Sequence, residues 1–137
     1  MPNIQRFIAA QEKAYDMALS EIKSGRKQSH WIWYIFPQIK GLGYSFNSNF
    51  YGIDGIEEAR EYISNNLLRH RLVEICKELL LHDVNIKEIL GGIDSQKLKS
   101  SMTLFDIVMP DDIFSSVLEK FFDGKRCHRT LTKINKK

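Results

Sequence analysis

Apolar residues recur at helical spacing along most of the chain, and glycine, proline and short polar clusters interrupt them. From about Ile4 to Ser24, the positions Phe7, Ile8, Ala14, Ala18, Leu19 and Ile22 form one apolar face that ends at Gly25. The pattern turns polar at Gln11 to Lys13, where a break is expected. Asp54-Gly-Ile-Glu57 reads as an aspartate capping box for a helix ending near Asn65-Asn66. Leu68, Leu72, Ile75 and Leu79 then predict a further helix, its stripe widened by Val73, Cys76 and Leu80.

Downstream, a single turn is expected at Asn85 to Leu90, closed by Gly91-Gly92. Asp94 is the expected cap of a helix over Ser95 to Met109, with Leu98, Met102, Phe105 and Met109 inward and Pro110 as its stop. Asp111 or Asp112 caps the next, which runs through Phe114, Val117, Leu118 and Phe121 to Gly124. Leu131 and Ile134 mark a short last helix. Trp31-Ile-Trp-Tyr-Ile-Phe36 fits a buried strand or a buried helix by periodicity alone. Its neighbours are helical and no strand of comparable strength is available to pair with it. The segment therefore reads as helical, begun by Ser29 and stopped before Pro37. The expected fold is all-α, a compact single domain over residues 1–137 with about seven short helices.

At 137 residues, a chain buries roughly two-thirds of the surface its unfolded form exposes. With 43% hydrophobic and 27% charged residues, the composition excludes a disordered tail, a collagen-like fibre and a disulfide scaffold. Net charge is +3, yet the six basic residues of the acid-free segment 125–137 leave residues 1–124 at a net −3. That basic end is either a solvated terminus or a non-specific contact for a polyanion. Nucleic acid is not the expected partner on this evidence. The opening residues lack the basic-then-apolar order of a secretory leader, and the longest apolar run, Trp31 to Pro37, is far too short to span a membrane. A cytoplasmic protein that does not engage membranes is expected.

Most known site types are missing. There is no H-E-x-x-H, no Cys-x-x-Cys and no Walker loop. His30, His70, His82 and His128 lack ligand spacing, so neither a metal nor a cofactor is expected. Gly41-Leu-Gly43 has Phe46 where a dinucleotide fingerprint needs its third glycine. Chemistry concentrates in two places. Residues 29–51 hold eight of the fifteen aromatics and both tryptophans, interleaved with polar residues such as Ser29, His30, Gln38 and Lys40. An apolar pocket with a few convergent polar groups is the usual make-up of a small-molecule site, and flat rings stack on bases.

The second place is Lys97 to Phe105. On a helix Lys97 and Ser101 share one face, and Ser100 and Thr103 another. These hydroxyls either bond back to the preceding turn or face a ligand's phosphate or sugar, with Lys97 as a point charge. His30 is the one histidine placed to act as a general base. Ser100 and Ser101 lack a nucleophile elbow. Cys127 sits among cations that favour a reactive thiolate, whereas Cys76 belongs to an apolar stripe.

These residues also carry a resemblance. R-F-x-x-A-Q at Arg6 to Gln11, S-H-W-I-W-Y-I-F-P-Q at Ser29 to Gln38, Gly41 to Gly43, Y-G-I at Tyr51 to Ile53 and K-L-K-S-S-M-T-L-F at Lys97 to Phe105 resemble a bacterial family. It is known as domain of unknown function 1810. The resemblance spans nearly the whole chain and implies a compact all-helical domain, including a helical Trp31 to Phe36. It implies no reaction. It does place the family's two long signatures on the two segments chosen above, with Trp31, Trp33, Gln38, Lys97, Ser101 and Thr103 as the implied site positions. Some members carry the name calpastatin, but calpain-inhibiting segments are disordered until bound, and this chain has the composition of a packed core.

Two functions are expected from the sequence: binding of a small anionic, partly aromatic ligand of nucleotide or ADP-ribose type, or a protein-interaction module with exposed aromatic hot spots.

Overall fold

A computed structural model describes residues 3–135. The expected last cations, Lys136 and Lys137, and the first two residues of the opening segment lie outside the described residues. Within them the chain is all-α, with eight helices: α1 Gln5–Ser24, α2 Ile32–Ile35, α3 Phe46–Phe50, α4 Ile56–Ser64, α5 Asn66–Leu80, α6 Ile86–Val108, α7 Ile113–Phe122 and α8 His128–Asn135. No helix among the described residues is long and apolar enough to cross a membrane.

The helices meet around one apolar cluster. The α5 stripe of Leu68, Leu72, Ile75, Cys76 and Leu79 is buried, as the spacing predicts. It packs against α1 on one side and α7 on the other, while α6 spans α4, α7 and α8. Aromatic rings run through this core in sequence. Phe7 meets Tyr62 edge-on at 5.2 Å, Tyr62 meets Phe105 at 5.1 Å, and Phe105 meets Phe114 at 5.8 Å. Such contacts add to the area each ring buries.

Several local expectations change. The α1 helix does not break at Gln11. That side chain is buried, and its amide donates to the Tyr34 carbonyl at 2.7 Å and to the Tyr62 hydroxyl at 3.0 Å. A satisfied amide can sit inside, so a polar residue need not mark a break. The aromatic run is helical for only one turn, and Ser29 does not cap it. Nor does Asp54 cap α4, whose first flanking residue is Gly55 at φ 150. The Glu58 carboxylate instead accepts the Asp54 amide at 2.8 Å.

Gly91 (φ 83) kinks α6, which separates the turn expected at Asn85 to Leu90 from a long arm. Asp94 lies within that arm rather than capping it. Ser45, Asn65, Asn85 and Asp112 are the caps that do form. The five-residue α3 is not expected from the sequence, because its apolar pattern is a single i, i+4 pair, Phe46 and Phe50, and it buries no residue fully.

Two devices tie the aromatic segment to its surroundings. A parallel bridge joins Ile39 to Ile53, with the Lys40 amide on the Ile53 carbonyl and the Ile53 amide on the Gln38 carbonyl, both at 2.8 Å. The backbones come so close that a Cβ on Gly52 would lie 2.8 Å from Lys40 Cα. Only glycine fits there, which accounts for the Y-G-I motif.

Arg6 is the second device. Its five N–H donors are all used: on the carbonyls of Asn3, Phe50 and Gly52, and on both oxygens of Glu58 at 2.8 and 3.0 Å. Partial burial pushes the Glu58 carboxyl up, but Arg6 and the Asp54 amide outweigh it and the net shift is downward.

Both members of this pair are buried, with side chains 6% and 11% exposed. Arg6→Ala leaves Glu58 uncompensated and is expected to cost about 3 kcal/mol or more in urea denaturation. A loss below about 1 kcal/mol would show that Arg6 is an ordinary surface cation.

Candidate functional site

The two segments chosen from the sequence meet at one hollow of about 420 Å3. The aromatic stretch contributes Trp33 and Gln38, and α6 contributes Lys97 and Ser100. The chain around the start of α8 contributes Cys127 and Arg129. The loop after Gln38 forms the remaining wall with Leu42, Gly43 and Tyr44, the last 97% exposed. Two cations and no carboxylate line the hollow.

A second hollow of about 430 Å3 lies beside Arg6 and is lined by Asp54, Glu57, Glu58 and Glu61. Its arginine is fully committed to protein acceptors. It offers no free positive charge beyond Lys40, which already faces Glu58.

The tryptophans have separate roles. Trp31 is fully buried and its Nε1 donates to Glu21 Oε1 at 2.9 Å. It does not reach the hollow, which corrects its expected place at a ligand. Trp33 is half-buried and does line it. A lysine covers each ring: Lys27 lies 5.0 Å from the Trp31 centroid and Lys97 5.0 Å from that of Trp33. Asp94 couples the two lysines, with Oδ2 2.8 Å from Lys27 and Oδ1 3.6 Å from Lys97. This is the work Asp94 does in place of capping.

The hydroxyl row on α6 is likewise divided. Thr103 Oγ1 donates to the Lys99 carbonyl at 2.8 Å and accepts the Cys127 amide at 2.9 Å. Ser100 Oγ pairs with Thr130 Oγ1 at 2.6 Å, and the Asp106 carboxylate pairs with Arg126. These groups seat α8. Ser101 Oγ and the second Asp106 oxygen, Oδ1, are buried without a hydrogen-bond partner among the described residues. Neither Ser101 nor Thr103 lines the hollow, because the apolar face of α6 is wide enough to enclose them. Ser100 does reach its edge.

His30 is exposed, outside the lining, and gives only its carbonyl to the Tyr34 hydroxyl. Cys76 is core, its thiol pushed up by burial. Cys127 is half-buried at the hollow.

Sequence reasoning missed three residues that build this region. Glu21 receives the Ser29 hydroxyl at 2.6 Å and the amides of Gln28 and Ser29 at 2.7 and 3.0 Å, besides the Trp31 indole. This explains Ser29 better than capping does. Arg129 reaches the Leu42 carbonyl at 2.9 Å across 87 residues of sequence. Asp94 was seen only as a cap. Each acts over a distance that local spacing cannot reveal.

The arrangement is a small all-helical protein with an open, cationic, aromatic-walled hollow. Comparison with known proteins places it. The family described as protein of unknown function (DUF1810) matches over residues 1–134. The chain belongs to that family. The crystal structure of a conserved hypothetical protein from Mycobacterium tuberculosis is similar at 38% identity and a TM-score of 0.93, covering 96% of this chain and 95% of that one. No curated protein matches the chain.

Partial burial raises the Glu21 carboxyl, but the bonds from Ser29, Gln28 and Trp31 outweigh it and hold its pKa down at about 2, against an ordinary 4.5. A carboxyl lowered on folding stabilises the fold above its unfolded pKa and loses that contribution as pH falls through the folded one. Glu21→Gln is therefore expected to cost about 1–2 kcal/mol at neutral pH. The difference from the natural protein should shrink below pH 4.5 and vanish near pH 2. A difference that stays constant on acidification would remove Glu21 as the organiser of this loop.

Proposed function

We propose that this protein binds a small anionic ligand with a flat aromatic ring, of nucleotide type, in the hollow between the aromatic segment, α6 and α8. One observation carries the reading: the lining combines Trp33 and Tyr44 with Lys97 and Arg129 and contains no carboxylate. The volume, about 420 Å3, falls within the roughly 300–1,000 Å3 typical of small-molecule sites. Trp33 offers a stacking face, Lys97 and Arg129 offer charge to phosphate, and the Gln38 amide, without a protein partner among the described residues, is available to a base edge. Cytoplasmic nucleotides are the matching ligand pool.

The lining holds no histidine, so binding rather than base catalysis by His30 is the activity supported. The second reading, an interaction module, draws on the exposed rings of Tyr44 and Phe46, 97% and 76% accessible. Trp33 facing a concavity favours the ligand.

Thermal-shift titration with AMP, with affinities from calorimetry, tests the proposal. Binding is expected, weakened about tenfold or more in Trp33→Ala and in Lys97→Ala, from the worth of a stacked base and of a charged hydrogen bond. Tyr44→Ala and Phe46→Ala in one chain test the second reading. If that variant binds AMP normally but loses a protein partner captured by the natural chain, the interaction reading gains. No AMP binding, or binding indifferent to Trp33 and Lys97, overturns the proposal.

A further inference from the structure

The hollow adjoins a much smaller recess of about 10 Å3, lined by Trp33, Gln38, Ile39, Ser48, Tyr51 and Gly52. Trp33, Gln38 and Ser48 line the hollow as well, so the two spaces meet through shared side chains. The volume is about that of one water-sized sphere, which is room for a single non-hydrogen atom.

The recess is built from two short motifs, Y-G-I and G-L-G. The Ile39–Ile53 bridge fixes the backbone of Gln38, whose carbonyl accepts the Ile53 amide at 2.8 Å, and brings Tyr51 and Gly52 alongside. The Tyr51 ring is held between Tyr34 at 5.1 Å and Phe50 at 4.9 Å. On the other side, the Ser48 amide donates to the Ser45 hydroxyl at 3.0 Å. A Cβ on Gly43 would lie 2.5 Å from Ser48 Oγ, so a side chain there would displace that hydroxyl.

Both polar side chains of the recess are uncommitted: among the described residues neither the Gln38 amide nor the Ser48 hydroxyl makes a hydrogen bond. A glutamine amide presents an acceptor beside its donors. The 6-amino group and N7 of adenine present the complement, a donor beside an acceptor. A 6-oxo purine presents two acceptors there, and one of them meets the glutamine oxygen. No carboxylate lines the hollow or the recess to receive the additional N–H groups of guanine.

We propose that the recess selects the base: it takes one exocyclic atom, the 6-amino nitrogen of adenine, between Gln38 and Ser48 while the ring lies against Trp33. This rests on the nucleotide reading and names its base. Gln38 pairs with the amino group and N7, and the Ser48 hydroxyl accepts the second amino hydrogen. Size adds a second filter, since two methyl groups on that nitrogen exceed a one-atom space.

Calorimetry with AMP, IMP and N6,N6-dimethyl-AMP tests the assignment on the natural chain and on Gln38→Ala and Ser48→Ala. AMP is expected to bind about tenfold more tightly than either of the others. Gln38→Ala should remove the preference for AMP over IMP. Ser48→Ala should narrow the gap between AMP and the dimethyl compound, whose nitrogen has no hydrogen to donate. Each readout is a ratio of two ligands on one variant, so a general loosening of the site, which weakens both together, does not move it. If the three bind within about twofold of one another, or if both gaps survive the substitutions, the recess does not read the base and this proposal falls while the nucleotide reading stands. If no nucleotide binds, both fall.

Discussion

The candidate site depends on how α8 is seated on α6. The inward face of α6 buries Ser100, Thr103 and Asp106, each of which gains from a partner, since an unpaired polar group costs about 1–3 kcal/mol; Ser101 Oγ and Asp106 Oδ1 on the same helix go without one among the described residues. The partners are the Thr130 hydroxyl, the Cys127 amide and the Arg126 guanidinium, all from the chain at or just before α8. That requirement fixes where α8 lies and how it is rotated. Its remaining side chains then have little choice of position: Arg129 turns to Leu42 and the hollow, and Lys133 to Gly41. A polar seam inside the protein thus sets the charge beside the hollow outside it.

A second division of labour concerns the tryptophans. Glu21 takes the indole of Trp31 into the core, and Asp94 spaces the lysines that cover both rings. Because Lys97 is held near Trp33 by Asp94, a cation and an aromatic face are presented together before anything binds. Asp94 also partly offsets the charge of Lys97, which leaves Arg129 as the stronger positive group of the lining.

Much of this was legible in the sequence. The α5 and α7 stripes and the stop at Pro110 follow from apolar spacing, and the one helical turn at Ile32–Ile35 from the absence of a partner strand. The two segments that meet at the hollow stand out in the sequence because aromatic and hydroxyl residues cluster there. Long-range polar pairing was not legible. Gln11 reads as a break but is buried and paired. Ser29 and Asp54 read as caps, yet Glu21 holds the Ser29 hydroxyl and Glu58 the Asp54 amide. Thr103 reads as bonding back to the preceding turn or facing a ligand; it does bond back to Lys99, and it also holds the Cys127 amide ahead of α8. Periodicity reports which face is inward, whereas a hydrogen bond across dozens of residues depends on topology that no local window contains.

The two tryptophans provide the most direct measurement, since each gives its own indole N–H signal in a nitrogen–proton correlation spectrum. With AMP added to the labelled protein, the account predicts that the Trp33 indole signal moves with saturation while that of Trp31, bonded to Glu21 in the core, stays in place. Both signals holding still, or the Trp31 signal moving alone, would contradict a ligand site in this hollow.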